Sequence, residues 1–231
     1  MKTIGLIGGM SWESTAIYYQ LLNEEVYARL GGLNSAKVLM YSFNFREIAA
    51  MQEQGAWSEV AQKLVCAATN LQRAGADALL LCSNSIHKVA PQIENQISIP
   101  VLNIIDITAV KAKQMGISKI GLLGTRFTME ESFYRERLEE VHGIDVILPK
   151  EREQKLIHNI VFEELCHGEI RDASEAELLL TIDALEQEGA QAVILGCTEL
   201  AMLMREQTHH VPLLDATQLH VHYAADWMLT I

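Results

Sequence analysis

"GADALLLCSN", residues 75–84, decides the predicted fold because the chain contains it twice: "GAQAVILGCT", residues 189–198, matches it without a gap. Each copy joins Gly-Ala at a helix end to a short apolar run and then to small polar residues, the pattern of a buried parallel strand. Two further pairs occur in the same order, "TIGLIGG" with "KIGLLGT" (from residues 3 and 119) and "IPVLNI" with "VPLLDA" (from residues 99 and 211). The near-constant spacing predicts two copies of one unit.

Short β-rich apolar runs alternate with longer amphipathic runs along the whole chain. This alternation predicts an α/β fold with two pseudo-symmetric, doubly wound parallel-sheet domains. The first domain is expected to contain residues 1–103 plus about 208–231, and the second about 104–207. The predicted strands are Thr3–Ile7, Lys37–Tyr41, Ala78–Leu81, Val101–Asn103, Ile120–Leu123, Asp145–Ile147, Ala192–Leu195 and Leu213–Asp215.

Composition narrows the class of protein. The 231 residues are 49% hydrophobic, which is enough to bury a sizeable core. A formal net charge of −12 is the wrong sign for a general nucleic-acid or anionic-membrane binder. We therefore expect no nucleic-acid partner and no membrane partner, while the net charge says little about a small-molecule substrate.

The four cysteines are widely spaced and form no CxxC pair, which disfavours a zinc or redox site. A chain of this size does not need disulfides, so a reducing cytoplasm is the expected location. The N-terminal apolar run is too short for a signal peptide and stops at Gly8-Gly9, and no run approaches the ~20 apolar residues of a membrane span. The histidines show no convincing ligand spacing, and we expect no metal.

The repeat also decides between two neighbouring candidates, Cys82 and Ser83. It aligns Ser83 with Cys197 and Cys82 with Gly196. Cys82 is then predicted to be a core thiol, since free cysteine is among the most buried residue types. Ser83 and Cys197 lie at strand carboxyl ends, where open α/β sheets carry ligands. The active site is expected in the cleft between the domains, with these residues approaching from opposite sides.

Two acid/base groups facing one carbon suit the inversion of a stereocentre without a cofactor. One group removes a proton and the other delivers a proton to the opposite face. A thiol suits this work because a local positive field can lower its pKa. The carbanion needs aimed donors, and polar loops past predicted strand ends supply them: Gly8-Gly9-Met10-Ser11, Asn84-Ser85, Thr125 with Thr128, and Thr198.

Five short motifs resemble the aspartate/glutamate racemase family, and the match runs in order along the whole chain. They are "GLIGGMSWEST" (5–15), "SNSIH" (83–87), "LLGTRFTM" (122–129), "FEELCHG" (162–168) and "LGCTE" (195–199). The similarity is closest to the bacterial branch that contains "GGMSWEST". It implies a cofactor-independent amino-acid racemase with two pseudo-symmetric domains, and it suggests a homodimer.

The resemblance implies a role for each matching position. The two catalytic positions fall on Ser83 and Cys197, and Gln52 lies where the family contacts the substrate side chain. The remaining matches imply contacts with the substrate's amino and carboxylate groups, by Met10, Ser11, Asn84, Ser85, Thr125, Thr128 and Thr198.

The sequence departs from the family pattern in two places. The usual first motif is Cys-Asn-Thr, whereas here it is Ser83-Asn84-Ser85. Several aspartate racemases also carry a lysine before the glycine matched by Gly168, where this chain has Cys166-His167. Arg46 or His167 is the alternative source of positive charge.

These departures shape the functional hypothesis. Cys197 is expected to take the α-proton of an L-amino acid, aspartate or glutamate above all, and Ser83, with or without water, to protonate the other face. A one-thiol relative stays open as an alternative, namely an arylmalonate-type decarboxylase, a hydantoin racemase or a maleate isomerase. A catalytically silent amino-acid-binding protein is the third possibility.

Overall fold

The computed structural model describes residues 1–204 and 209–230, which form two compact units. Unit 1 contains Met1–Asn103 and the C-terminal segment that begins at His220, and unit 2 contains Ile104–Leu219. The predicted return to the first domain at about residue 208 falls outside the described residues. The strand Leu213–Asp215 still belongs to unit 2, because it is hydrogen-bonded to a strand of that unit.

Unit 1 follows the predicted alternation of strands and helices. Its elements in chain order are β1 (Ile4–Gly8), α1 (Trp12–Leu30), β2 (Val38–Ser42), α2 (Phe45–Glu53), α3 (Trp57–Arg73), β3 (Ala78–Leu81), a 3₁₀ turn (Ser85–Val89) and α4 (Ala90–Glu94).

The sheet of unit 1 is parallel, with the strand order β2-β1-β3. Its central strand is entirely buried, as expected for a parallel strand covered on both faces. The predicted strand Val101–Asn103 is reduced to a single parallel bridge between Val101 and Leu79. Ile7, Leu79 and Leu81 share one side-chain face and enter a core built with α3.

Unit 2 repeats the pattern with more helical segments. Its elements are α5 (Ile104–Gln114), β4 (Lys119–Gly124), α6 (Arg126–Met129), α7 (Ser132–Glu136), a π turn (Arg137–Val141), β5 (Asp145–Ile147), α8 (Glu151–Asn159), a π turn (Ile160–Glu164), a 3₁₀ turn (Leu165–His167), α9 (Asp172–Gln187), β6 (Val193–Gly196), α10 (Thr198–Leu203) and β7 (Leu213–Asp215). The last helix, α11 (Ala216–Leu229), begins in unit 2 and ends in unit 1.

The sheet of unit 2 is parallel with the order β5-β4-β6-β7, so its first three strands repeat the order of unit 1. Alternate residues of its strands enter separate cores. Leu123 and Leu195 lie in the core with α8, α9 and α10, whereas Leu122 and Ile194 lie in the core with α5 and α7. This two-sided burial is the doubly wound arrangement predicted from the repeat.

A backbone hydrogen bond made by β3 in unit 1 is repeated by β6 in unit 2. The Leu79 N–H donates to the Pro100 carbonyl at 2.9 Å, and the Val193 N–H donates to the Pro212 carbonyl at the same distance. These four residues occupy matching positions in "GADALLLCSN", "GAQAVILGCT", "IPVLNI" and "VPLLDA". The internal repeat therefore has a counterpart in backbone hydrogen bonding.

Candidate active site

The two predicted catalytic residues lie at equivalent places in the two sheets. Ser83 follows β3 by two residues, and Cys197 follows β6 directly. β3 and β6 pair with the first strand of their own sheet in the same direction. Both residues therefore stand at a strand carboxyl end, where α/β sheets place their ligands.

The Ser83 hydroxyl belongs to a small polar chain within unit 1. Its Oγ lies 3.3 Å from Ser85 Oγ, and Gln52 Nε2 on α2 donates to Ser85 Oγ at 3.4 Å. Gln52 is buried, whereas Ser83 and Ser85 are half-buried. The structure therefore brings together three of the residues predicted from the sequence.

A buried histidine network fixes the backbone behind Ser83. His87 Nδ1 donates to the Ser83 carbonyl at 3.0 Å, and the His87 ring makes an edge contact with His220. His220 Nε2 donates to the Leu102 carbonyl at 2.6 Å, so its Nδ1 accepts from the Tyr18 hydroxyl at 2.9 Å. Burial, with a smaller contribution from His87, lowers the pKa of His220 to about 3. Neutral His220 thus connects α11 to the Ser83 loop.

Cys82 is fully buried, and desolvation raises the pKa of its thiol. Its assignment to the core is confirmed. At the equivalent position of unit 2, a Cβ on Gly196 would lie 2.8 Å from the Leu123 carbonyl oxygen. The position before each predicted catalytic residue therefore faces packed backbone or core in both units.

Cys197 lies in a buried, acidic environment. Its side chain is 8% exposed, and Sγ donates to Glu199 Oε2 at 2.8 Å. Desolvation first, and the Glu199 carboxylate second, raise the pKa of the thiol well above its ordinary value. The carboxylate is the opposite of the positive field that can lower the pKa of a thiol. The thiol rests protonated, and its thiolate is a strong base.

Three buried oxygens of predicted substrate-binding residues have no hydrogen-bond partner among the described residues: Asn84 Oδ1, Thr125 Oγ1 and Thr128 Oγ1. A buried polar atom without a partner costs about 1–3 kcal/mol, so such atoms are rare unless something else pairs with them. Thr125 follows β4, and Gly124 pairs in register with Gly196. Thr125 therefore lies beside the strand that leads to Cys197, where it can meet a ligand.

The other predicted binding residues are buried at the same sheet edges. Met10 and Ser11 follow β1, and Ser11 Oγ caps α1 by accepting from the Ser14 N–H at 3.2 Å. Gly9 permits this tight loop, since its φ is +82° and a Cβ there would lie 2.2 Å from the Phe43 carbonyl oxygen. Thr198 is the first residue of α10 and is buried.

Glu199 is a site residue that sequence reasoning did not single out. It is 8% exposed although it is a carboxylate, and it contacts the Cys197 thiol directly. The repeat contained the relevant signal, because Glu199 occupies the position equivalent to Ser85, the partner of Ser83. Arg46 and His167, the two alternative sources of positive charge, are exposed.

One group of side chains has the composition of a metal site: the ligand atoms of Asp183, Glu186 and His209 lie within 4.8 Å of one another. His209 Nδ1 accepts from the Val211 N–H at 3.3 Å, and Nε2 is 2.8 Å from Asp183 Oδ1. In this tautomer Nε2 carries the proton and donates to the carboxylate, which suits a hydrogen bond better than a metal. We assign no metal ion to this group.

Within the described ranges, 1–204 and 209–230, no helix has the length and apolar character needed to cross a membrane.

The chain is similar to proteins of one family along nearly its whole length. Residues 7–224 match the family model described as Asp/Glu/Hydantoin racemase. A crystal structure of a Yersinia pestis protein described as a candidate Asp/Glu racemase is 49% identical, covers 100% of both chains and superposes with a TM-score of 0.94. An aspartate racemase homologue from Pyrococcus horikoshii is 32% identical, with 100% coverage of both chains and a TM-score of 0.87. A broad specificity amino-acid racemase of Bacillus subtilis is 21% identical over 224 residues, which is 93% of this chain and 92% of the relative.

Proposed function

Since the chain belongs to the Asp/Glu/hydantoin racemase family and is therefore an isomerase of the racemase class, we propose that it racemises aspartate or glutamate with a preference for the L-enantiomer. One observation carries the proposal. The repeat places Ser83 and Cys197 at equivalent strand ends, and each side chain is hydrogen-bonded to the residue two positions later. A pair of proton-transfer groups is what inversion at one carbon requires.

The proposed reaction begins at Cys197. Its thiolate takes the α-proton of an L-amino acid: the Cα–H bond breaks, an S–H bond forms, and the electron pair stays on Cα, delocalised into the carboxylate. Ser83 then delivers its hydroxyl proton to the opposite face, and its alkoxide regains a proton from water, to which the Cys197 thiol releases the proton it abstracted. The scheme requires that Sγ and Oγ reach opposite faces of one Cα. It uses no cofactor.

The carbanion formed in this reaction needs hydrogen-bond donors around the substrate carboxylate. We assign that role to the Thr125 and Thr128 hydroxyls, which are buried without a partner among the described residues. Thr198, Met10 and Ser11 complete the binding of the α-carboxylate and amino groups. Asn84 Oδ1, also unpartnered among those residues, is suited to accept from the substrate ammonium. Ser85 and Gln52 would contact the substrate near Ser83.

The L-preference follows from the chemistry of the two groups. A serine hydroxyl is a far weaker acid than a thiol, so it seldom exists as the base that a D-substrate would need. It can still protonate a strongly basic carbanion. L-aspartate and L-glutamate should therefore exchange the α-proton much faster than their D-enantiomers.

The test is to incubate the protein with a panel of L- and D-amino acids in heavy water and to follow α-deuteration by NMR and chirality by chiral chromatography. Exchange of L-aspartate or L-glutamate is expected. Cys197→Ala should lower it by about 10³-fold or more, the upper range of one acid/base group. Cys66→Ala, which changes an exposed thiol, is the matched control and should retain activity. Substantial exchange in Cys197→Ala, or equal rates for both enantiomers, would contradict the proposed site.

A second candidate is a one-thiol member of the superfamily: an arylmalonate-type decarboxylase, a hydantoin racemase or a maleate isomerase. A decarboxylase needs a single proton donor, and Cys197 alone would serve. Supplying their substrates to the same assay distinguishes them. A silent amino-acid-binding protein would instead bind L-aspartate saturably with no deuterium at Cα.

Two expectations stay predictions at this point. The family resemblance suggests a homodimer, which sedimentation velocity of the purified protein would test. A cytoplasmic location follows from cysteine usage alone, and fractionation of the source cell would test it.

A further inference from the structure

The Cys197 thiol contacts a carboxylate that the proposed racemisation does not yet use. Sγ and Glu199 Oε2 are 2.8 Å apart, and both side chains are more than nine-tenths buried. The carboxylate is therefore shielded from the solvent that would otherwise compensate its charge. Such a short, buried contact between a proton donor and an ionisable acceptor is a route for proton transfer.

The equivalent position in unit 1 makes the same kind of contact. Ser85 follows Ser83 by two residues and approaches its hydroxyl at 3.3 Å, as Glu199 follows Cys197. Each strand end thus presents a reacting atom together with a hydrogen-bonded partner from the next helical turn. Only the partner of Cys197 is a carboxyl group, whose oxygens can take up a proton.

We propose that Glu199 accepts the proton of Cys197 and so converts the buried thiol into the base that attacks the α-carbon. The inference rests on the proposed racemase function. Glu199 acts through Cys197, and its role is distinct from binding the substrate.

Protons and charge balance in this step. The resting pair is Cys-SH with Glu-COO⁻, and the reactive pair is Cys-S⁻ with Glu-COOH, so one proton moves and the pair keeps a single negative charge. Abstraction of the α-proton then gives Cys-SH with Glu-COOH. The pair returns to its resting state when the carboxyl loses a proton, through water, to the Ser83 alkoxide.

Proton transfer to Glu199 explains how a buried thiol with a raised pKa can still act as a base. Burial, followed by the nearby carboxylate, raises the pKa of Cys197, so direct ionisation to solvent is unfavourable at neutral pH. Titratable groups that act on the thiol are Glu199 on α10 and the Cys166 thiol on the 3₁₀ turn that packs against α10. Transfer within the pair avoids creating a second buried negative charge.

Glu199→Gln is the direct test, because an amide oxygen can accept the thiol hydrogen bond but cannot take its proton. We expect kcat for L-substrates to fall about 10²-fold or more, with KM changed by less than about threefold. Wild-type kcat should be independent of pH near neutrality, since the pair shares one proton there. In Glu199→Gln the rate should instead rise with pH, as the thiol must ionise to solvent. Glu177→Gln, an exposed change of the same charge on α9, should leave both properties unchanged.

Alkylation of Cys197 by iodoacetamide, followed by peptide mass spectrometry, gives a readout that does not need catalysis. Wild-type labelling should contain a pH-independent component near neutrality, and Glu199→Gln should lose it. If Glu199→Gln loses the pH-independent labelling but the wild type shows no α-deuteration, the racemase function is refuted. Proton transfer between Cys197 and Glu199 would still be supported. Identical labelling profiles, or wild-type kcat and pH dependence in a folded Glu199→Gln protein, would overturn the role of Glu199.

Discussion

The carboxyl ends of β3 and β6 carry different chemistry on the same backbone plan. At the first, two half-buried hydroxyls, Ser83 and Ser85, face each other. At the second, a buried thiol faces a buried carboxylate, Cys197 with Glu199. In the proposed mechanism, the first end donates a proton and the second takes one as a base. The comparison shows that two side chains per copy are enough to give equivalent strand ends of a repeated fold different chemistry.

The largest expected effect comes from making the two ends alike. Ser83→Cys combined with Ser85→Glu reproduces the thiol–carboxylate pair at the end of β3. We expect α-deuteration of D-aspartate to rise about 10²-fold over wild type, because the first end would then also contain a base. Ser83→Cys alone should give a smaller rise. NMR measurements of α-deuteration on wild type, Ser83→Cys and the double variant would show whether Ser85→Glu adds to the rate. Equal rates for D-aspartate in the single and double variants would contradict a role for the partner residue.

A second contrast concerns the groups that support the two ends: the buried His220 supports the loop of the first, whereas Cys197 is hydrogen-bonded to a carboxylate. His220 has a pKa lowered to about 3, so the folded state holds it neutral while the unfolded chain binds a proton below about pH 6.5. His220 should therefore cost stability as the pH falls from 6.5 towards 3, by about 1.4 kcal/mol for each pH unit. Urea unfolding between pH 4 and 7 should show this slope.

His220→Gln sharpens that measurement, because an amide can still donate to the Leu102 carbonyl and accept from Tyr18. Its free energy of unfolding should be less steep with pH than that of wild type. His222→Gln, which changes an exposed histidine on the same helix, should keep the wild-type slope. An unchanged slope in His220→Gln would show that the buried ring is not the titrating group.

The smallest effect is expected at the neighbouring thiol of the first end. Cys82 is buried in the core and is not placed at the reacting site, so Cys82→Ala removes only a few packed atoms. We expect a loss of about 1 kcal/mol in unfolding free energy and α-deuteration rates within about twofold of wild type. A large loss of activity with an unchanged melting temperature would move the reacting position from Ser83 to Cys82.

Much of the fold was predictable because short, fully apolar runs leave little alternative to buried parallel strands. β3, β5 and β7 have the predicted bounds, and the other predicted strands of the two sheets differ from the structure by a residue or so at their ends. The prediction of a strand over Val101–Asn103 was wrong beyond its first residue, because only Val101 forms a bridge with β3.

Helices were less predictable where the apolar period is short or interrupted. The amphipathic pattern of Met129–Glu139 predicts one helix, whereas the structure has α6, α7 and a π turn between Arg126 and Val141. The helices α2 and α10 were not predicted, since nine and six residues show too little periodicity.

The candidate site shows a similar limit. Ser83 and Cys197 could be aligned by the repeat, because register along a strand is visible in the sequence. The partnership of Cys197 with Glu199 depends on how α10 turns after β6, and on burial that charged residues rarely show. The repeat marks the position of Glu199 through its equivalence with Ser85, but only the folded structure shows its contact with Cys197.

The placement of α11 has a consequence for dissecting the molecule. The Lys2 N–H donates to the Met228 carbonyl at 2.9 Å, and His220 is hydrogen-bonded to Leu102 and Tyr18. The end of α11 thus lies beside the start of β1, within the same unit. Residues 1–103 expressed alone would lack His220, which is hydrogen-bonded to the Tyr18 hydroxyl and the Leu102 carbonyl. A circularly permuted chain, with 220–230 joined by a short glycine linker to Met1, would carry the whole of unit 1 as one continuous segment.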